Sequence, residues 1–221
     1  MSDQEPHNES DENILRRKLL LSILIPGIFI ILMWLVKVSE LLFEIDFSQF
    51  GIYPLTLKGI PGIFLSPLIH DDFEHLFNNT IPLFFLSSFV FYFYSEVALK
   101  VFFRTYFLTG LLVWVFGRAA WHIGASGLVY GFATFLFFSG IIRRHLGLIA
   151  LSLLVVFLYG SMIWGMVPLF YKNVSWESHM LGAFAGIILS IWHRNEGPQK
   201  PVYEWLEEEE LSEKADIHEQ T

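Results

Sequence analysis

Apolar runs with few charges dominate the chain and are parted by short polar or glycine-bearing breaks. The first, LLLSILIPGIFIILMWLV from Leu19 to Val36, is about 18 residues, or roughly 27 Å of helix at 1.5 Å per residue, close to the thickness of a bilayer core. Five similar runs follow, at Leu76 to Tyr94, Val97 to Phe116, Ser126 to Ile142, Leu146 to Trp164 and Trp176 to Trp192. The pattern predicts an all-α, polytopic membrane protein with six transmembrane helices. Pro26-Gly27 and Pro82 fall inside spans, where neighbouring helices re-satisfy the freed carbonyls, and are expected to mark kinks. The first run is too long for a signal-peptide core and no cleavage site follows it.

The one long connection, Ser39 to Glu74, sets isolated large apolar groups among Glu40, Glu44 and Asp46. Its stretch GIYPLTLKGIPGIFLSPLI has three prolines and three glycines, which predicts short helical pieces lying partly in the membrane interface rather than another span. The organisation read from this is a polar segment 1–15, a six-span domain 16–194 with first loop 39–74, and an acidic tail 195–221.

Composition agrees with the membrane class: 54% of residues are hydrophobic and only 16% charged. The net charge of -8 comes mostly from the head, Ser2 to Glu12, and from a tail containing EWLEEEE, so it gives no support for a nucleic-acid partner. The absence of cysteine removes disulfides, thiolate metal sites and a cysteine nucleophile. With the N-terminus in the cytoplasm, ten lysines and arginines fall inside and four, Lys37, Lys58, Arg118 and Lys172, outside. That asymmetry predicts both termini in the cytoplasm.

Polar groups within the spans are costly, which makes each a candidate for function. His75 and Asn79, four residues apart in HLFNN, share one helical face. They could be an interhelical hydrogen-bonding pair or part of a site. His70 belongs to the end of the loop and is placed to cap such a site. Ser126, in GASGLVYG, heads the fourth span, where backbone amides lack a preceding turn to bond. Gly127 and Gly131 form a small-xxx-small packing face. In the last span His179 is followed by Gly182 and Gly186 along one stripe.

Packing the two glycine faces together would bring the His179 imidazole to the Ser126 hydroxyl, since both residues stand in the first turn of spans entering from the same side. A serine needs an adjacent base to act as a nucleophile, and neutral histidine is one. The Ser126 amide, His75 and Asn79 are then available as oxyanion donors. No acid is placed to orient His179, because Glu177 faces elsewhere on the helix. The arrangement is a dyad. Tyr130, a turn beyond Ser126, either stacks on the imidazole or packs as an ordinary aromatic.

Together, His75-x-x-x-Asn79, Gly124-x-Ser126-Gly127-x-x-Tyr130 and His179-x-x-Gly182-x-x-x-Gly186 resemble the rhomboid intramembrane serine proteases, over about Gly51 to Arg194. The resemblance implies a six-helix protease core of bacterial inner-membrane type. Ser126 would be the nucleophile, His179 the base, His75 and Asn79 the oxyanion hole, Gly124 the shaper of the turn and Tyr130 the packing partner of His179. It further implies a partly submerged first loop, a lateral substrate gate bordered by the fifth span with Trp164, and single-span membrane proteins as substrates within the lipid bilayer. Many members carry a Trp-Arg pair in that loop, and Ser39 to Glu74 contains none.

No cofactor or metal is called for, and no feature fixes an oligomeric state. A zinc protease is disfavoured because HExxH is absent, and a proton-coupled transporter because intramembrane carboxylates and a broken-helix repeat are lacking. The alternative is a catalytically silent relative that binds membrane helices for trafficking or quality control, whose expected mark is loss of the serine or the histidine.

Overall fold

The computed structural model describes residues 9–167 and 175–200. The acidic EWLEEEE run, Lys172, Lys214 and the first eight residues lie outside them. The elements are α1 (Glu9–Phe43), α2 (Gly62–Leu65), α3 (Phe73–Phe93), α4 (Ala98–Phe116), α5 (Ser126–Arg143), α6 (Leu146–Tyr159) and α7 (Trp176–Trp192), with short 3-10 turns in the first loop and after α6.

Five of the six apolar runs form helices long and apolar enough to cross a membrane. The sixth, α7, has 17 residues, or about 26 Å, and is sunk into the bundle. The protein is an all-α, polytopic integral membrane protein. Its outward faces carry exposed Leu32, Phe85, Leu111 and Phe157, the apolar surface that lipid covers.

Helix limits depart from the hydropathy pattern in two instructive places. First, α1 extends well past Leu19 and Val36 at both ends, because the flanking Glu, Leu, Arg and Lys residues are good helix formers. Its 35 residues span about 52 Å, more than a hydrocarbon core. The loop proper therefore runs from Glu44 to Asp72, between the end of α1 and the start of α3. Second, the fifth run stops being α-helical at Tyr159 and tightens into 3-10 turns over Gly160–Met166. Both Pro26 and Pro82 lie within unbroken helices.

The bundle is built around α5, 61% of whose spanning window is buried against 17% for α1. Its closest neighbour is α7, and the reason is steric. A methyl group at Gly182 would overlap the Gly127 carbonyl, and one at Gly186 the Gly131 carbonyl, so the two backbones touch along a glycine seam. Thr134 Oγ1 adds a 2.8 Å bond to the Ala183 carbonyl across it. Phe132, Phe135, Leu136, Leu83 and Leu86 fill the core on the other side of α5.

The first loop folds over the Ser126 end of the bundle. An antiparallel bridge joins Ile52 to His122, with N–H···O distances of 2.9 and 2.8 Å. Trp114 Nε1 donates to the Thr56 carbonyl at 3.0 Å, and the Lys58 ammonium sits 4.2 Å from the Tyr53 ring centre and 5.2 Å from that of Trp121. These contacts hold the loop in a chain that lacks the Trp-Arg pair. Lys37 fixes the end of α1 to the same region, donating to Glu40 and to the His70 and Asp71 carbonyls at 2.8 to 3.0 Å.

At the opposite end, Arg143 is buried and donates to Ser139 Oγ and to the carbonyls of His193 and Pro198. Arg104 donates to His193 Nε2 at 2.8 Å, and Lys100 pairs with Glu196 at 2.7 Å. The segment after α7 is thereby strapped across the ends of α4 and α5.

Candidate active site

Ser126 is the first residue of α5, and the turn that delivers it needs Gly124. That residue has φ +99°, a conformation L side chains rarely adopt, and a Cβ there would lie 2.7 Å from the His75 ring. The Gly124 amide is tied to the Ser66 carbonyl at 2.9 Å.

The glycine seam brings the first turn of α7 alongside the first turn of α5. His179 Nε2 lies 2.8 Å from Ser126 Oγ, and His179 Nδ1 lies 2.8 Å from the Gly165 carbonyl oxygen. A carbonyl can only accept, so the Nδ1 proton is committed to Gly165. Nε2 of the neutral ring is then left to accept the Ser126 hydroxyl proton. The pair is mostly enclosed, with His179 buried.

Tyr130 stacks on the imidazole with centroids 4.3 Å apart and planes 16° off parallel, and its hydroxyl donates to the Met162 carbonyl at 2.5 Å. Of the two sequence readings for Tyr130, the structure has the stack. The 3-10 turns after α6 thus supply two carbonyls, one to His179 and one to Tyr130. Gly165 must be small, because a Cβ there would collide with the Tyr130 hydroxyl.

His75 and Asn79 lie on the α3 face toward Gly124. Asn79 Nδ2 donates to the His75 carbonyl at 3.1 Å, which leaves its second N–H uncommitted by that bond. The His70 ring packs edge-on against His75 at 5.0 Å, and His70 Nε2 accepts the Ala125 amide at 3.4 Å. Burial pushes the His70 imidazole down to about 3, and it is neutral. Thus His70 supports the Ser126 turn from behind.

A cleft of about 950 Å³ opens over these groups and is lined by His75, Asn79, Ser126, Tyr130, Gly165 and His179. One lip carries Asp71, Asp72 and Glu74, another Arg118 and Trp121, and the end of α6 contributes Leu158, Tyr159, Ser161 and Met162. Its size admits an organic ligand or a few residues of a peptide. A serine hydroxyl bonded to an unprotonated imidazole, beside amide donors at a helix start, can carry out acyl transfer.

Sequence reasoning missed Gly165, whose part is played by a main-chain carbonyl, and missed His122. His122 is buried, its Nε2 donating to the Arg118 carbonyl at 3.0 Å and its Nδ1 lying 2.6 Å from Ser175 Oγ. Burial pushes its imidazole below the usual range. Glu177, expected to face away from His179, does so and pairs with Arg118 at 3.2 Å.

The family model described as Rhomboid domain matches residues 59–195, more than half of the chain. Among curated proteins, uncharacterized proteins of Mycobacterium tuberculosis and Mycobacterium bovis are 33% identical over 172 residues, covering 72% of this chain and 70% of theirs. An uncharacterized protein of Mycobacterium leprae is 31% identical over 176 residues, covering 72% of this chain and 66% of its own length.

Proposed function

The chain belongs to the rhomboid family of intramembrane serine proteases, and on that footing we propose that it cleaves membrane-spanning segments of other proteins with Ser126 as nucleophile and His179 as base. The observation that carries this reading is the 2.8 Å contact between Ser126 Oγ and His179 Nε2, with Nδ1 engaged by the Gly165 carbonyl.

In the proposed reaction His179 Nε2 takes the Ser126 proton as Oγ attacks the scissile carbonyl. The Ser126 amide, His75 and Asn79 stabilise the oxyanion. The imidazolium then gives its proton to the departing amine, leaving an acyl-enzyme. A water entering the cleft is deprotonated by His179, attacks the ester and regenerates Ser126. Tyr130 holds the ring plane throughout, and the Gly165 carbonyl takes the orienting part that an acid has in a triad.

A helical substrate hides its carbonyls in i to i−4 bonds, so cleavage requires local unwinding near the cut. Glycine and other helix-weakening residues there favour it, and single-span proteins fit best. Entry runs between the end of α6 and α3, since Tyr159, Met162 and Pro82 border the same cleft.

Both termini face the cytoplasm. Lys100, Arg104, Arg143 and Arg194 gather at the end opposite Ser126, which supports this orientation by the positive-inside rule. Residues 16–194 form the working domain and 195–221 a cytoplasmic tail, in the plasma membrane of a bacterium, as the mycobacterial relatives support.

The test is cleavage of a single-span model substrate by the purified protein in liposomes, with Ser126→Ala and His179→Ala beside wild type. Each substitution should remove cleavage with the fold retained, and a fluorophosphonate should label Ser126. Undiminished cleavage by Ser126→Ala would overturn the protease assignment. Absence of both cleavage and labelling in wild type would instead favour the silent, helix-binding relative.

A further inference from the structure

Two bonds of the same offset join the start of α5 and the loop before it to the start of α7. His122 precedes Ser126 by four residues and Ser175 precedes His179 by four, and each pair is bonded across the two elements, at 2.6 Å for His122 Nδ1 to Ser175 Oγ and 2.8 Å for the Ser126–His179 pair. The directions of the first link follow from its neighbours. The Arg118 carbonyl accepts from His122 Nε2, so Nδ1 of the neutral ring accepts from Ser175 Oγ. With its proton used there, Ser175 Oγ accepts from Ser178 Oγ at 2.6 Å and from the Ser178 amide at 3.3 Å. Ser175 is the N-cap of α7, and its carbonyl receives the His179 amide at 3.3 Å.

His122 is itself immobilised. Its backbone is bridged on both sides to Ile52, and Gly117 leaves no room for a Cβ beside the imidazole. The ion pair of Arg118 with the buried Glu177 ties the same loop to the same turn of α7 a second time.

We propose that His122 and Ser175 are positioning residues for the reaction: their link sets the rotation and height of the first turn of α7 and so the Ser126–His179 separation. This rests on the dyad reading above. Neither residue touches the reacting atoms, and although Ser175 borders the cleft its hydroxyl is engaged by His122 and Ser178, so their loss lowers turnover through misalignment rather than through substrate binding.

The experiment measures fluorophosphonate labelling rate, kcat and KM for the full chain in liposomes, as wild type, His122→Ala, Ser175→Ala, the double variant and Ser175→Thr. The alanine variants should each lose about tenfold or more in kcat and in labelling with KM unchanged. The double variant should be no slower than the slower single, because one link is broken in all three. Ser175→Thr, which keeps a capping hydroxyl, should recover most of the rate. Melting temperatures are read alongside, and Ser175→Gly, also an accepted N-cap, replaces Ser175→Ala if that variant does not fold. With wild type labelled at Ser126, alanine variants reacting at its rate, losses that multiply in the double variant, or a threonine variant no better than alanine would each overturn the proposal. Failure of wild type to label would bring down the dyad reading itself.

Discussion

The Gly165 carbonyl stands 2.8 Å from His179 Nδ1, and through it a main-chain atom fixes which imidazole nitrogen faces Ser126. A carbonyl orients the ring without adding charge to a low-dielectric site. Position 165 is therefore constrained in two ways, by the direction of its carbonyl and by the closeness of Tyr130.

Gly165→Ala should reduce cleavage sharply. The added methyl meets the Tyr130 hydroxyl, and overpacking of this kind costs about 1–3 kcal/mol, which here displaces either the stacked ring or the carbonyl. The check is kcat on a single-span substrate together with the melting temperature. A rate equal to wild type would show that the turn takes the methyl without moving Tyr130 or the Gly165 carbonyl.

Asn79→Ala should lower kcat by about 10²-fold, the usual cost of one oxyanion donor, with KM little altered. The Nδ2 group has a proton beyond the one given to the His75 carbonyl, and it is this second proton that the proposed oxyanion role would use. Steady-state kinetics separate the outcomes, because an unaltered kcat would leave Asn79 only its bond to the α3 backbone.

Gly182→Val should destabilise the fold itself. Any Cβ at 182 overlaps the Gly127 carbonyl, and neither backbone can yield without parting α7 from α5. A loss of about 1–3 kcal/mol or more is expected, seen as a lower melting temperature in detergent and reduced labelling of Ser126. A melting curve identical to wild type would mean that the seam tolerates separation.

Acid should destabilise the protein in part through His70. Its folded pKa of about 3 lies below the ordinary histidine value of 6.5, so the unfolded chain binds the proton more readily. The stability that follows from keeping it neutral is full above about pH 6.5 and is lost as pH falls toward 3. Melting temperature against pH over that window should fall less steeply in His70→Gln than in wild type, and parallel curves would remove His70 from the acid response.

The spans and the Ser126–His179 meeting were legible because both leave periodic traces. Soluble cores seldom contain apolar runs of membrane length, and glycines four apart on two helices announce a close approach. Gly165 left no such trace. It sits in GSMIWGM at the end of a continuous apolar run, where nothing in side-chain chemistry tells 3-10 turns from another turn of α-helix. His122 was equally silent, since a loop has no period against which one histidine stands out. The far reach of α1 was hidden because charged helix formers look like the end of a span although they extend the helix.

The glycine seam between α5 and α7 has a thermodynamic consequence. Where two helices meet through carbonyls and α-carbons, few rotamers have to be frozen to bring them into register, Thr134 being one that is, and side-chain motion has little purchase on that register afterwards. The backbone entropy of bringing positions 126 and 179 together is settled once, when the chain folds, and in the proposed reaction would not recur with each substrate.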